Sequence, residues 1–117
     1  MPLVLLIDDD PSLLDVLSLP FEDAGFRVEI ARDGIAGLAI IRARRPDVVV
    51  SDVNMPGLDG FALCRKLRAE QNMVPLLLLT SRDNEIDEAL GLELGADDFI
   101  AKPFSTRVLL EIGRAHV

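Results

Sequence analysis

The sequence predicts an α/β fold: a doubly wound, five-stranded parallel sheet with helices on both faces. Three observations carry this. Five short apolar runs alternate along the chain with segments of three-to-four spacing. Four of the runs are nearly continuous Val, Ile, Leu or Phe, the mark of strands covered on both faces. Proline and glycine fall where such elements must start or stop. Right-handed crossovers then give an open, doubly wound sheet.

The elements follow in order. Leu3–Ile7 reads as the first strand. Leu13, Leu17, Phe21 and Ala24 form the stripe of a first helix. Pro11 suits its first turn, and Gly25 suits its C-terminal cap. Pro20 falls inside the stripe and is expected to kink it. A strand over 26–31 is more mixed in polarity and is expected at an edge. Gly34, Leu38 and Ile41 mark the second helix. Pro46 precedes a third strand over 47–51. Leu63, Cys64 and Leu67 mark the third helix, and Pro75 opens a fourth strand over 75–79. Ile86, Leu90 and Leu94 mark the fourth helix, closed by Gly95. The fifth strand is Asp98–Ala101. Val108, Leu109 and Ile112 begin a fifth helix that the chain end truncates.

Composition bounds the function. The 117 residues hold 12 Lys+Arg against 20 Asp+Glu, a net charge of −8, and half of them are apolar. That content is enough for one core and excludes disorder. The acidic balance argues against direct DNA or RNA binding and suits a cation or a basic partner protein. Cys64 is the only cysteine, which excludes an internal disulfide and a cysteine-only metal site. No basic n-region opens the chain, and no run approaches the roughly 20 apolar residues of a membrane helix. A cytoplasmic location is the expectation.

In open α/β sheets, sites form at the carboxyl ends of the strands. There the first strand meets Asp8-Asp9-Asp10, the third Asp52, the fourth Thr80-Ser81 and the fifth Lys102-Pro103. Adjoining carboxylates repel unless a cation joins them. Mg²⁺ is the natural candidate, since it prefers oxygen ligands and needs only one or two carboxylates. Carboxylates, a hydroxyl, an ammonium and a divalent cation make a phosphoryl site, in which a carboxylate can be the nucleophile. The chain has no glycine-rich phosphate loop, so a cradled nucleotide is not the expected donor.

These residues resemble the receiver domains of bacterial two-component response regulators. The resemblance rests on Leu5-Leu6-Ile7-Asp8-Asp9-Asp10, on Ser51-Asp52-Val53-Asn54-Met55-Pro56-Gly57-Leu58-Asp59-Gly60, on Leu79-Thr80-Ser81, and on Gly95 through Phe104 with Lys102-Pro103 inside it. It covers residues 3 to about 110. It implies a flavodoxin-like sheet of strand order 2-1-3-4-5. It implies that Asp52 accepts a phosphoryl group from a sensor histidine kinase, and that this self-catalysed phosphorylation and its reversal are the only enzymatic activity. Asp9, Asp52 and the backbone carbonyl of Asn54 would ligate Mg²⁺, with Asp8 acting through water. Lys102 would pair with the phosphoryl oxygens, and the Lys102–Pro103 peptide would be cis. Thr80 would hydrogen-bond the phosphoryl group, and Phe99 would rotate inward behind it. Family members more often have Tyr at the Phe99 position, which alters the polarity of that switch. Homodimerisation through the fourth helix, fifth strand and fifth helix is a further implication, as is a winged-helix DNA-binding output domain outside these residues.

Plainer roles compete for the same residues. Asp10 before Pro11 suits a helix N-terminus. Asp52 alone could form an Asx-turn, and Thr80 or Ser81 could cap the helix that follows. Phe99 is balanced between core packing and a switch. Cys64 reads as a small core residue, and His116 has no constellation around it. Three rival functions remain: a degenerate receiver that binds partners without phosphorylation, a phosphohydrolase working through an aspartyl-phosphate, and a nucleotide or flavin carrier. The intact Asp9, Asp52, Thr80 and Lys102 set weighs against the first. Asn54, where such hydrolases place a second acid, weighs against the second.

The C-terminal end stands apart. Gly113 is expected to interrupt the last helix, and the apolar stripe stops there. One frame of a common sequencing adapter, GAG-ATC-GGA-AGA-GCA-CAC-GTC, encodes residues 111–117. The domain is therefore expected to span 1–111, with 112–117 a non-native read-through tail.

Overall fold

Central strands made mostly of Leu, Ile and Val can be buried only if helices cover both sides, and that is the architecture found. The computed structural model describes residues 1–81 and 85–117, with the backbone alone at 85–87. Its elements are β1 (Leu3–Ile7), α1 (Pro11–Asp23), β2 (Arg27–Ala31), α2 (Gly34–Arg44), β3 (Val48–Asp52), α3 (Gly60–Ala69), β4 (Leu76–Thr80), α4 (Glu85–Glu93), β5 (Asp98–Ala101) and α5 (Thr106–Ala115). The strands form one parallel sheet ordered β2-β1-β3-β4-β5.

Side chains alternate across the sheet and divide the core in two. On one face Leu5, Ile7, Val49, Leu76 and Leu78 pack under α2 and α3. On the other, Val4, Leu6, Val48, Val50, Leu77 and Leu79 pack under α1 and α5. Every residue of β1, β3 and β4 is buried. β2 is the expected mixed edge strand. β5 is an edge too, with all four residues only half-buried, although its apolar run reads as a doubly covered strand.

Several boundaries differ from expectation for local reasons. Phe26 lies before β2 and packs edge-to-face on Phe21, with centroids 5.2 Å apart. β3 and β4 both run one residue later than expected. Asp47 is engaged outside β3, its carboxylate accepting from the Leu3 amide at 2.7 Å. The ladder also continues beyond Asp52, where the Val53 amide donates to Leu79 O at 2.8 Å. Asp52 and Thr80 thus close their strands. α1 runs unbroken through Pro20. The carbonyl that Pro20 leaves without a donor belongs to Val16, which faces solvent, so water can meet it.

Gly25 and Gly95 take positive φ values of 94° and 103° just beyond α1 and α4, the expected caps. In α4 the stripe is not as expected: Leu90 is 39% exposed, and the buried position is Gly91. The Ile86 side chain lies outside the described residues. α5 presents Leu109 to the core while Val108 is 47% exposed. Gly113 does not end α5; it is buried against Phe21, and the helix reaches Ala115. Among the described residues, no helix is long and apolar enough to cross a membrane.

Candidate functional site

Because all five strands are parallel, their last residues share one edge of the sheet, and the predicted site assembles there. The β1 strand delivers Asp8 and Asp9, β3 ends on Asp52, β4 ends on Thr80, and Lys102 follows β5. Carboxylate oxygens of Asp8, Asp9 and Asp52 all lie within 4.8 Å of one another. Asp8 and Asp52 are buried, 3% and 6% exposed, whereas Asp9 faces solvent. Lys102 Nζ lies 3.4 Å from Asp52 Oδ1 and 3.5 Å from Asp8 Oδ2. One ammonium therefore spans two strands' carboxylates.

The electrostatics are unbalanced. Burial pushes the Asp52 carboxyl above the usual carboxylate range, and the Asp8 charge adds to this. Lys102 and the Asn54 amide, which donates to the Asp52 carboxylate, oppose it. Asp8 is likewise raised, first by burial, with Asp9 adding a smaller push. The Asp10 amide, donating to Asp8 Oδ1 at 3.0 Å, and Lys102 act against that rise. Three carboxylates facing one ammonium leave excess negative charge in a pocket of hard oxygen donors. Such a set fits a divalent cation like Mg²⁺.

Asp10 does not join the cluster. It is the N-cap of α1, its Oδ1 accepting from the Ser12 amide at 2.9 Å, as the plainer reading has it. The capping reading of Thr80 and Ser81 turns on residues 82–84, which lie outside the described residues. Thr80 is fully buried at the end of β4, and its carbonyl accepts from the Lys102 amide. The Lys102–Pro103 peptide is cis. Asn54 is exposed beside the pocket. Gly60 lets α3 approach the site, since a Cβ there would lie 2.7 Å from the Asp52 carbonyl oxygen. Phe99 lies on β5, half-buried, stacked on Phe61 of α3 with centroids 6.3 Å apart. Cys64 is buried, its thiol donating to Leu94 O at 3.4 Å. A groove of about 250 Å³ beside the site is lined by Leu13 and Val16 of α1 and by Lys102 to Phe104.

Sequence reasoning missed two residues here. Phe61 was unremarked, although an aromatic directly after Gly60 falls on the first turn of α3. Arg68 holds the opposite end of α3. Its guanidinium donates to the carbonyls of Gly95 at 3.0 Å and of Asn72 and Val74 at 2.9 Å, and to Asp97 Oδ2 at 3.1 Å. Only tertiary folding brings those acceptors together.

The 2-1-3-4-5 sheet and its carboxylate–ammonium site define a flavodoxin-like signalling receiver. The chain belongs to the response regulator receiver domain family, whose model matches residues 4–114. It is 46% identical over 109 residues to the transcriptional regulatory protein AfsQ1 of Streptomyces coelicolor, covering 93% of this chain and 48% of that protein. The chain thus spans about half the length of that relative. Among solved structures, the receiver domain of Francisella response regulator 1452 matches at a TM-score of 0.95 with 34% identity, covering 98% of this chain and 95% of that one. The chemotaxis protein CheY4 of Vibrio cholerae matches at a TM-score of 0.92 with 34% identity, covering 100% and 99%.

Proposed function

We propose that this receiver takes a phosphoryl group onto Asp52 from the phosphohistidine of a sensor histidine kinase. The observation that carries the proposal is the Lys102 ammonium bridging Asp52 and Asp8 beside exposed Asp9. An Asp52 oxygen attacks phosphorus, the histidine nitrogen leaves, and an acyl phosphate remains. Lys102 pairs with the incoming phosphoryl oxygens, and Thr80 donates its hydroxyl to one of them. Asp9, Asp52 and the Asn54 carbonyl would hold Mg²⁺, with Asp8 acting through water, and the ion would offset charge on the phosphoryl oxygens. Hydrolysis returns Asp52 to its free state.

The acyl phosphate biases a two-state equilibrium through Thr80 and Phe99, read out on the face of α4, β5 and α5. That face would form a homodimer or contact an output domain. An output domain is consistent with the chain's spanning about half of its relative, and DNA binding by that domain with the relative being a transcriptional regulator. The apolar groove beside Lys102 gives the kinase a place to dock next to Asp52. We place the protein in the cytoplasm, where such kinases present their phosphohistidine.

The receiver proper would end at 111, with 112–117 an added tail. The adapter match supports this. A parent locus with a stop codon directly after Val117 would overturn the tail reading.

Intact mass after incubation with Mg²⁺ and acetyl phosphate tests the main proposal. One phosphoryl adduct that requires Mg²⁺ and is lost in Asp52→Asn is expected. A folded chain that binds Mg²⁺ but takes no adduct from this donor or a kinase is instead a degenerate receiver.

A further inference from the structure

We infer that Phe61 is a positioning residue that holds the Phe99 ring turned inward, between α3 and α4, before any phosphoryl group arrives. The inference rests on the reading of Phe99 as the switch residue. The two rings are nearly parallel, 10° between planes and 6.3 Å between centroids, and both are half-buried. Both pack against the core beneath α2 and α3.

Gly91 completes the arrangement. A Cβ at that position would lie 3.0 Å from Phe99 Cδ2 and 3.3 Å from Phe61 Cε1, closer than ordinary packing. It is the single buried side-chain position among the described residues of α4. The helix therefore comes down onto the Phe61–Phe99 pair at its one residue without a side chain.

Chemistry favours the same outcome. Turning a phenol inward buries a hydroxyl that needs a partner, whereas a phenyl ring carries no polar atom to satisfy. Phe99 thus meets no polar penalty inward and gains a stacked neighbour that lies outside the phosphorylation site. The switch is biased toward its inward position by residues outside the phosphorylation site.

Incorporation of 4-fluorophenylalanine tests this. The chain has five phenylalanines, and Phe99→Leu identifies the Phe99 signal. The H₂O/D₂O isotope shift of that fluorine reports its exposure, with and without Mg²⁺ and beryllofluoride as the phosphoryl mimic. In the parent chain a small isotope shift is expected in both states. In Phe61→Leu the free state should become more exposed and the mimic should return it inward. The orientational equilibrium should move by about two- to tenfold, the span that losing one aromatic pair allows. Phe61→Met, a flexible unbranched side chain without the ring, should behave alike, and the remaining fluorine signals report that each variant is folded.

A parent Phe99 that moves inward on the mimic as far as in the variants would overturn the inference, as would variants indistinguishable from the parent. If Asp52 takes its adduct normally and only the fluorine results fail, the phosphoacceptor reading stands without the Phe61 role. If no adduct forms, both fall.

Discussion

Lys102 and Asp52 face each other across β4: the ammonium that follows β5 lies 3.4 Å from the carboxylate that ends β3. The same nitrogen lies 3.5 Å from Asp8 on β1. One cation thereby offsets two buried acids, and its removal has consequences for stability as well as for chemistry.

Lys102→Ala should slow phosphoryl incorporation from acetyl phosphate by about 10²–10³, the usual effect of deleting one electrostatic donor at a reacting oxygen. Without Lys102 the Asp8 and Asp52 carboxyls rise still further. The variant's loss of stability is therefore expected to be greatest at neutral pH and to shrink as both acids protonate. Urea melts at several pH values would show this. A loss independent of pH would contradict the electrostatic account.

Asp52→Asn should stabilise the fold at neutral pH in the absence of divalent cation. The sign follows from linkage: an acid raised above its unfolded value binds protons more tightly in the folded state. Its charge destabilises the fold at neutral pH, and the penalty fades as pH falls through the raised value. The advantage of Asn should accordingly be largest near neutrality and vanish in acid. Saturating Mg²⁺ should narrow it by stabilising the parent chain, by roughly 2.7 kcal/mol at one hundred times Kd.

Arg68→Ala should cost about 1–3 kcal/mol, since it strips donors from three backbone carbonyls and the Asp97 carboxylate. Arg68→Lys should not restore the loss, because an ammonium lacks the planar fork that reaches several acceptors at once. Adduct formation on Asp52 should be little changed in either, since Arg68 lies at the far end of α3. Denaturation with a parallel mass measurement separates the two effects.

Gly113→Ala should raise stability by roughly 0.5–1 kcal/mol. The helix continues through this position, alanine is the better helix former, and the added methyl would meet Phe21 at 3.4 Å. A decrease in melting temperature would mean that the α5–α1 contact cannot accommodate a methyl group.

Much of this was legible in the sequence, and the reasons are local. Leu3–Ile7 and the other apolar runs announce buried strands. Asp8, Asp52, Thr80 and Lys102 each directly follow or close such a run, and Asp9 comes one residue later. In a parallel sheet, chain order alone puts them on one edge. Asp10 before Pro11 declared its capping role from two adjacent residues. Where contacts come from distant segments, local patterns misled. Leu90 fits a helical stripe, yet Gly91 is buried, because the Phe61 and Phe99 rings leave room there only for a backbone. Gly113 reads as a helix end, yet α5 continues across Phe21. The β5 run reads as central, yet no strand pairs with its outer side among the described residues.

The sequence by itself determined the α/β class, and which acids, hydroxyl and ammonium come together at one edge of the sheet. Periodicity and strand-end position are properties of neighbouring residues. Only the tertiary structure decided which cation meets which acid, which carboxyls are buried enough to be raised, and which partners Phe61 and Arg68 meet. Those outcomes depend on distances between residues far apart in the chain, and packing alone sets such distances.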